Sequence, residues 1–199
     1  LHWEEGVQDI WTHDCFKPNA CNFCDDVFAE TADVVFMDAW LPQYSQDYRG
    51  HSLVINRREA FKTLWDEGLA SGEINLEPIA AASVIRSQAG QLHHKRELLA
   101  YRLCLAQSAG QSVPRKRVGP SARLSIVDRR LVELKSDARS KSLTIWGQRQ
   151  DVKAFRWTLW GINLQIKTLR WWTRMQTAFR EGRIVSALTK RVRRLLRRG

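Results

Sequence analysis

Three of the chain's four cysteines fall close together, at Cys15, Cys21 and Cys24. Cys21 and Cys24 make a Cys-x-x-Cys turn, in which two intervening residues let both sulfurs point the same way and grip one metal centre. An iron–sulfur cluster takes about four thiolates, and a structural zinc site takes about four ligands. With His13 nearby, the local set of Cys15, Cys21 and Cys24 is one short or mixed. The competing reading is a group of small core residues, because a free cysteine packs as a small hydrophobe. Four cysteines in 199 residues are too sparse for a secreted disulfide framework. In a reducing compartment Cys-x-x-Cys points instead to metal or redox chemistry. Cys104 is alone on a predicted helix and reads as core, and His93 and His94 read as solvent-facing.

The pattern extends beyond the cysteines. Cys21, Cys24 and Asp25 are followed by Ala29, Glu30, Ala32 and Asp33, and then by Asp38. Further on come Gly50 to Arg57 and the Gly72-Glu73-Ile74 turn. Over residues 10–110 this order and spacing resembles the C-terminal region of the coenzyme F-420 hydrogenase/dehydrogenase beta-subunit family. Met37 departs from that pattern, standing where the family usually has glycine. The resemblance implies an oxidoreductase or electron-transfer subunit. It would carry a 4Fe-4S cluster and FAD, and would pass electrons to a deazaflavin such as coenzyme F-420 or a related acceptor. It also implies a redox partner protein or subunit, and an N-terminal portion ahead of Leu1 with further cysteines.

These residues need elements to position them. Val7–Trp11 is expected as a short strand, and the cysteine stretch as a loop broken by Pro18. Asp33–Met37 and Ser52–Asn56 are predicted strands, apolar at their centres. Arg58–Ser71 is a predicted helix with Phe61, Leu64, Trp65 and Leu69 at helical spacing, stopped by Gly72. Ile74–Ile79 is expected as a third strand. A long helix is expected from about Ala80 to Ala109. On it, Ser87 and Gln88, with Lys95 two turns on, are candidates to meet a flavin or phosphate; an exposed helix face is the alternative.

Gly110–Pro120 holds two glycines, two prolines and a basic triplet, which predicts a linker (111–120) between a cysteine-containing region (1–110) and a basic helical region (121–199). Beyond it Leu124, Val127, Leu131, Leu134 and Ala138 step by three and four. The register runs on through Ile145, Val152, Phe155, Leu159, Ile162, Ile166 and Leu169, the signature of helices packed on one another or on a partner. Gly147 and Gln148 are the expected hinge, and the stripe of Trp157, Trp160, Trp171 and Trp172 reads as core. The expected fold class is α+β: a small core of short strands and helices, then a long helical, heptad-patterned region.

Charge is uneven. Residues 1–85 hold 5 Lys/Arg against 15 Asp/Glu, and residues 86–199 hold 27 against 6. A strongly basic half suits an acidic partner, nucleic acid or an anionic membrane. The last predicted helix, about Arg183–Arg197, opposes an apolar stripe to a basic face, which favours an anionic membrane surface. Nucleic acid is disfavoured, since the tail carries no folded recognition motif. No run approaches the roughly twenty apolar residues that a membrane span needs. No signal peptide is visible at the acidic start. A cytoplasmic protein with peripheral membrane contact is therefore expected. The alternative function is a non-catalytic metal-binding scaffold docked through its basic helices.

Overall fold

The computed structural model describes residues 7–180. The predicted tail helix at 183–197 lies outside the described residues. Two compact units form: Leu1–Pro18 with Ser125–Gly199, and Asn19–Leu124. The class is α+β, with a two-stranded antiparallel sheet and long C-terminal helices.

The first unit is a helical hairpin of α7 (Ile126–Arg149) and α8 (Val152–Arg180). Ser125 caps α7 by accepting from the Asp128 N–H at 3.0 Å, which satisfies one of the orphan amides at a helix start. The break falls at Gln150 rather than at Gly147, which is helical: Gln150 takes a left-handed conformation, φ 44°. Asp151 then caps α8 by accepting from the Lys153 N–H at 2.8 Å. The break is placed by the start of α8, where Asp151 caps the first turn, rather than by the conformational freedom of Gly147. Leu134 and Ala138 of α7 meet Phe155, Leu159, Ile162 and Ile166 of α8 in a buried core, the three-and-four register that the sequence shows, except that Val152, in the first turn of α8, is exposed.

The opening residues lie on this hairpin. Val7–Thr12 is a helix, α1, not the expected strand. Its side chains follow helical spacing onto the hairpin: Ile10 packs on the core and Asp9 pairs with Lys167 at 2.7 Å. The chain then turns through two left-handed residues, Asp14 and Phe16. Phe16 stacks on Phe155 at 5.2 Å and meets the edge of Trp146 at 6.1 Å. Its amide donates to the buried Ser142 hydroxyl at 2.9 Å. The tryptophans Trp157, Trp160, Trp171 and Trp172, expected in the core, are exposed. Trp157, Trp160 and Trp171 occupy the side of α8 opposite the Phe155–Ile166 stripe that packs on α7, and Trp172 lies on its flank.

In the second unit β1 (Val34–Asp38) pairs with β2 (Ser52–Asn56), from Val34 opposite Asn56 to Asp38 opposite Ser52. Val35 and Leu53 are buried. α2 is a single turn, Asn19–Asn22. A short turn at Glu59–Phe61 leads into α3 (Lys62–Ser71), which ends on Gly72 at φ 73°, as the sequence predicts. Ile74–Ile79 is not a strand. The Ile74 amide is committed to the end of α3, donating to the Gly68 carbonyl at 3.2 Å, and its side chain lies over Gly68. The expected long helix is three: α4 (Ala81–Ser87), α5 (Ala89–Lys95) and α6 (Glu97–Ser108). The breaks fall at Gln88 and Arg96, where the backbone leaves the helical region. Residues 111–120 are irregular but tied down, and Ser121 donates back to the Ala100 carbonyl at 3.0 Å.

His13 gives the hairpin a pH response. It is 1 % exposed, with Nδ1 2.7 Å from Asn163 Oδ1. Burial, with the Arg170 charge adding to it, lowers its pKa against the opposing Asn163 bond. The unfolded chain therefore takes up the proton first. Stability should be full above about pH 6.5 and fall as the pH drops below it. His13→Gln should flatten that fall in thermal melts. His13→Leu should cost about 1–3 kcal/mol at neutral pH by leaving the Asn163 amide unpaired.

Candidate functional site

The Cys21–Asp33 segment has little regular structure, so its backbone groups depend on side chains for partners. Asp26 folds the loop on itself, its carboxylate accepting from the Phe28 amide at 3.1 Å and the Glu30 amide at 3.2 Å. Ala29 sits at φ 45°. Arg57, just past β2, spreads its guanidinium over three carbonyls: Phe28 at 2.8 Å, Ala29 at 3.2 Å and Ala32 at 2.7 Å. Arg102 of α6 donates to the Asn22 carbonyl at 2.9 Å. Lys95 of α5 donates to the Asp26 carbonyl, and its Nζ lies 3.3 Å from Cys24 Sγ.

Two further cations face the acidic side of the loop. The Arg117 amide donates to Asp25 at 3.2 Å, and Lys116 Nζ lies 3.5 Å from the same carboxylate. Arg117 also pairs with Glu30 through both guanidinium nitrogens. These contacts hold the Asp25 and Glu30 carboxyls below their ordinary pKa, through the Arg117 amide for Asp25 and the Arg117 side chain for Glu30. Both loop carboxylates therefore stay ionised and fastened at neutral pH.

The predicted ligands divide between the units. Cys21 is exposed and Cys24 half-buried in the second unit. Cys15 belongs to the helical unit, where it packs on the hairpin core. Burial, with the Asp14 charge adding to it, pushes its thiol up to about 11. Among the described residues no three His, Cys, Asp or Glu side chains are grouped as metal ligands. Cys21 and Cys24 alone therefore do not make the set that a cluster or zinc site requires.

The predicted flavin contacts divide too. Ser87 and Gln88 are buried, and their polar atoms are bonded within the protein: the Ser87 hydroxyl to the Val84 carbonyl at 2.8 Å, and Gln88 Nε2 to the Asp38 carbonyl at 2.8 Å. Lys95 serves the cysteine loop. The open space lies elsewhere, in a largely apolar cleft of about 970 Å³ lined by β2, α3 and the 75–85 segment. Phe28, Glu30 and Arg57 of the loop region line it as well. Trp65, also in its lining, has a buried indole N–H with no partner among the described residues. Sequence reasoning passed over Arg57, Arg102 and Arg117. For Arg117 the clue was Asp25, which has no local cation; Arg57 and Arg102 serve backbone carbonyls, which the sequence does not signal.

Residues 2–82 match the family model that describes the C terminus of the coenzyme F420 hydrogenase/dehydrogenase beta subunit. Over that segment the chain is similar to this family, in line with the resemblance carried by Cys21, Cys24, Asp25, Glu30 and Asp33. The name is that of one subunit of an oxidoreductase. Neither a curated protein nor a solved structure gives a significant match.

Thiol reactivity should separate the cysteines. At pH 8 iodoacetamide should modify exposed Cys21 first. Cys15, half-buried and held protonated, should react at least roughly tenfold more slowly until the chain is denatured, as read by peptide mass spectrometry over time.

Proposed function

We propose that this chain is part of an oxidoreductase subunit that passes electrons through a flavin to a deazaflavin-type or related acceptor, in company with a partner subunit. The observation that carries this reading is the family match, which spans the cysteine loop, both strands and most of the cleft lining. A flavin or deazaflavin supplies the hydride and electron chemistry; the protein supplies binding and orientation. The cleft is of a size for such a ring, since small-molecule pockets span about 300–1,000 Å³. Its apolar walls can cover the faces of a planar ring. The unpaired Trp65 N–H can donate to a ring carbonyl or nitrogen, and Arg57 places a fixed positive charge in the cleft lining. These groups displace Ser87 and Gln88 as candidates to meet the cofactor.

A cluster held by Cys21 and Cys24 needs about two more thiolates. Lys95 fastens this turn through the Asp26 carbonyl, with its Nζ 3.3 Å from Cys24 Sγ.

Two measurements test the reading. FAD or a deazaflavin titrated into the full chain should bind, and Ala81→Trp, placed in the cleft lining, should weaken binding at least roughly tenfold. Saturable binding that Ala81→Trp leaves unchanged would place the cofactor elsewhere. Separately, Cys21→Ser or Cys24→Ser should remove iron and visible absorbance from the protein purified anaerobically with its partner. Unchanged iron in both variants would rule out a cluster at this turn.

A further inference from the structure

α8 is apolar on two opposite faces. One face, from Phe155 to Ile166, is the hairpin core. The other carries Trp157, Trp160, Leu164, Trp171 and Met175, at steps of three, four, seven and four, so at helical spacing they form one ridge. All five are exposed: Trp157 is 78 %, Trp160 60 % and Trp171 58 % accessible. At 1.5 Å per residue the ridge runs about 27 Å along the helix. Burial against α7 explains the first stripe and leaves the second unexplained, and an exposed apolar patch of this length marks an interaction surface.

The charges indicate what covers it. α8 holds six Lys/Arg and no Asp or Glu. Lys153 lies within the ridge face, and Arg156, Lys167 and Arg174, all exposed, line one flank at helical spacing. Tryptophan is the side chain that concentrates at the boundary between lipid and water, where its ring is buried and its N–H stays hydrated. Lys and Arg beside it reach anionic headgroups. No described helix is long and apolar enough to cross a membrane, which leaves an in-plane placement.

We infer that the Trp157–Met175 ridge of α8 is a docking surface for an anionic lipid bilayer, with the helix lying in the interface. The tryptophans enter the headgroup boundary while Lys153, Arg156 and Arg174 engage lipid phosphates. This inference is independent of the redox reading and of residues 183–199.

The test uses the full chain with phosphatidylglycerol/phosphatidylcholine vesicles. The protein should sediment with them at low salt, be released as salt rises, and ignore pure phosphatidylcholine. Trp157→Ser with Trp160→Ser should weaken partitioning at least roughly tenfold with an unchanged circular dichroism spectrum. Brominated lipid should quench the parent's tryptophan emission more than that of the variant. Should the pair fail to fold, Leu164→Gln with Trp171→Ser carries the same expectation. Deleting residues 183–199 should leave a ridge-dependent component of binding. Absence of binding to anionic vesicles at low salt overturns the inference, as does a folded ridge variant that binds like the parent. So does binding that vanishes entirely with 183–199, or a ridge variant that alters only self-association or capture of a partner subunit.

Discussion

The second unit depends on how one irregular stretch satisfies its own backbone. Residues 21–33 run from a single helical turn to the first strand with no ladder of hydrogen bonds. A backbone carbonyl taken out of water without a partner costs as much as a lost hydrogen bond. Three cationic side chains supply partners: Arg102 at Asn22, Lys95 at Asp26, and Arg57 at Phe28, Ala29 and Ala32. Because they come from α6, α5 and the end of β2, the loop acquires its shape only when those elements are in place. The Cys-x-x-Cys turn is thus positioned by tertiary structure rather than by its own sequence, and the same Arg57 lines the adjacent cleft.

That dependence explains which features were legible in the sequence. Elements set by local pattern were readable: both strands, α3 with its Gly72 cap, and the register of the α7–α8 hairpin. Features set by a distant partner were not. Ile74–Ile79 has the composition of a strand, but its first amide is taken by Gly68 and no third strand lies beside the described sheet. The apolar spacing from Ile85 to Leu103 fits one helix, yet the chain breaks where Gln88 reaches the Asp38 carbonyl. Cys15 is close to Cys21 in sequence, but its packing with Phe16 on the hairpin core comes from residues more than a hundred positions away.

The α8 tryptophans show a limit of periodicity itself. A stripe at helical spacing says that one face is apolar; it does not say which of two apolar faces is buried. Both stripes of α8 obey the same period, and only the identity of the residues facing α7 decides between them. Branched aliphatic residues and Phe155 interdigitate with Leu134 and Ala138, whereas four bulky indoles would not fit opposite an alanine and a buried serine.

Charge follows the same division. Counted by halves of the sequence the chain is acidic then basic, which suggests two surfaces of opposite sign. Counted by structural unit, residues 19–124 hold 12 Lys/Arg and 12 Asp/Glu, while the helical unit holds the remaining 20 against 9 and so the whole +11. In the second unit the acids of the cysteine loop are met by cations brought from afar: Asp25 by Lys116, Glu30 by Arg117, Asp33 by Arg58. That unit is internally neutralised, and its fields are local to the loop and cleft. In the helical unit acids are too few to do the same, and α8 has none. Net positive charge there is not a by-product of composition spread over the chain. It is confined to the unit that also exposes the tryptophan ridge, so attraction toward an anionic surface and the apolar area to bury on it reside on the same element.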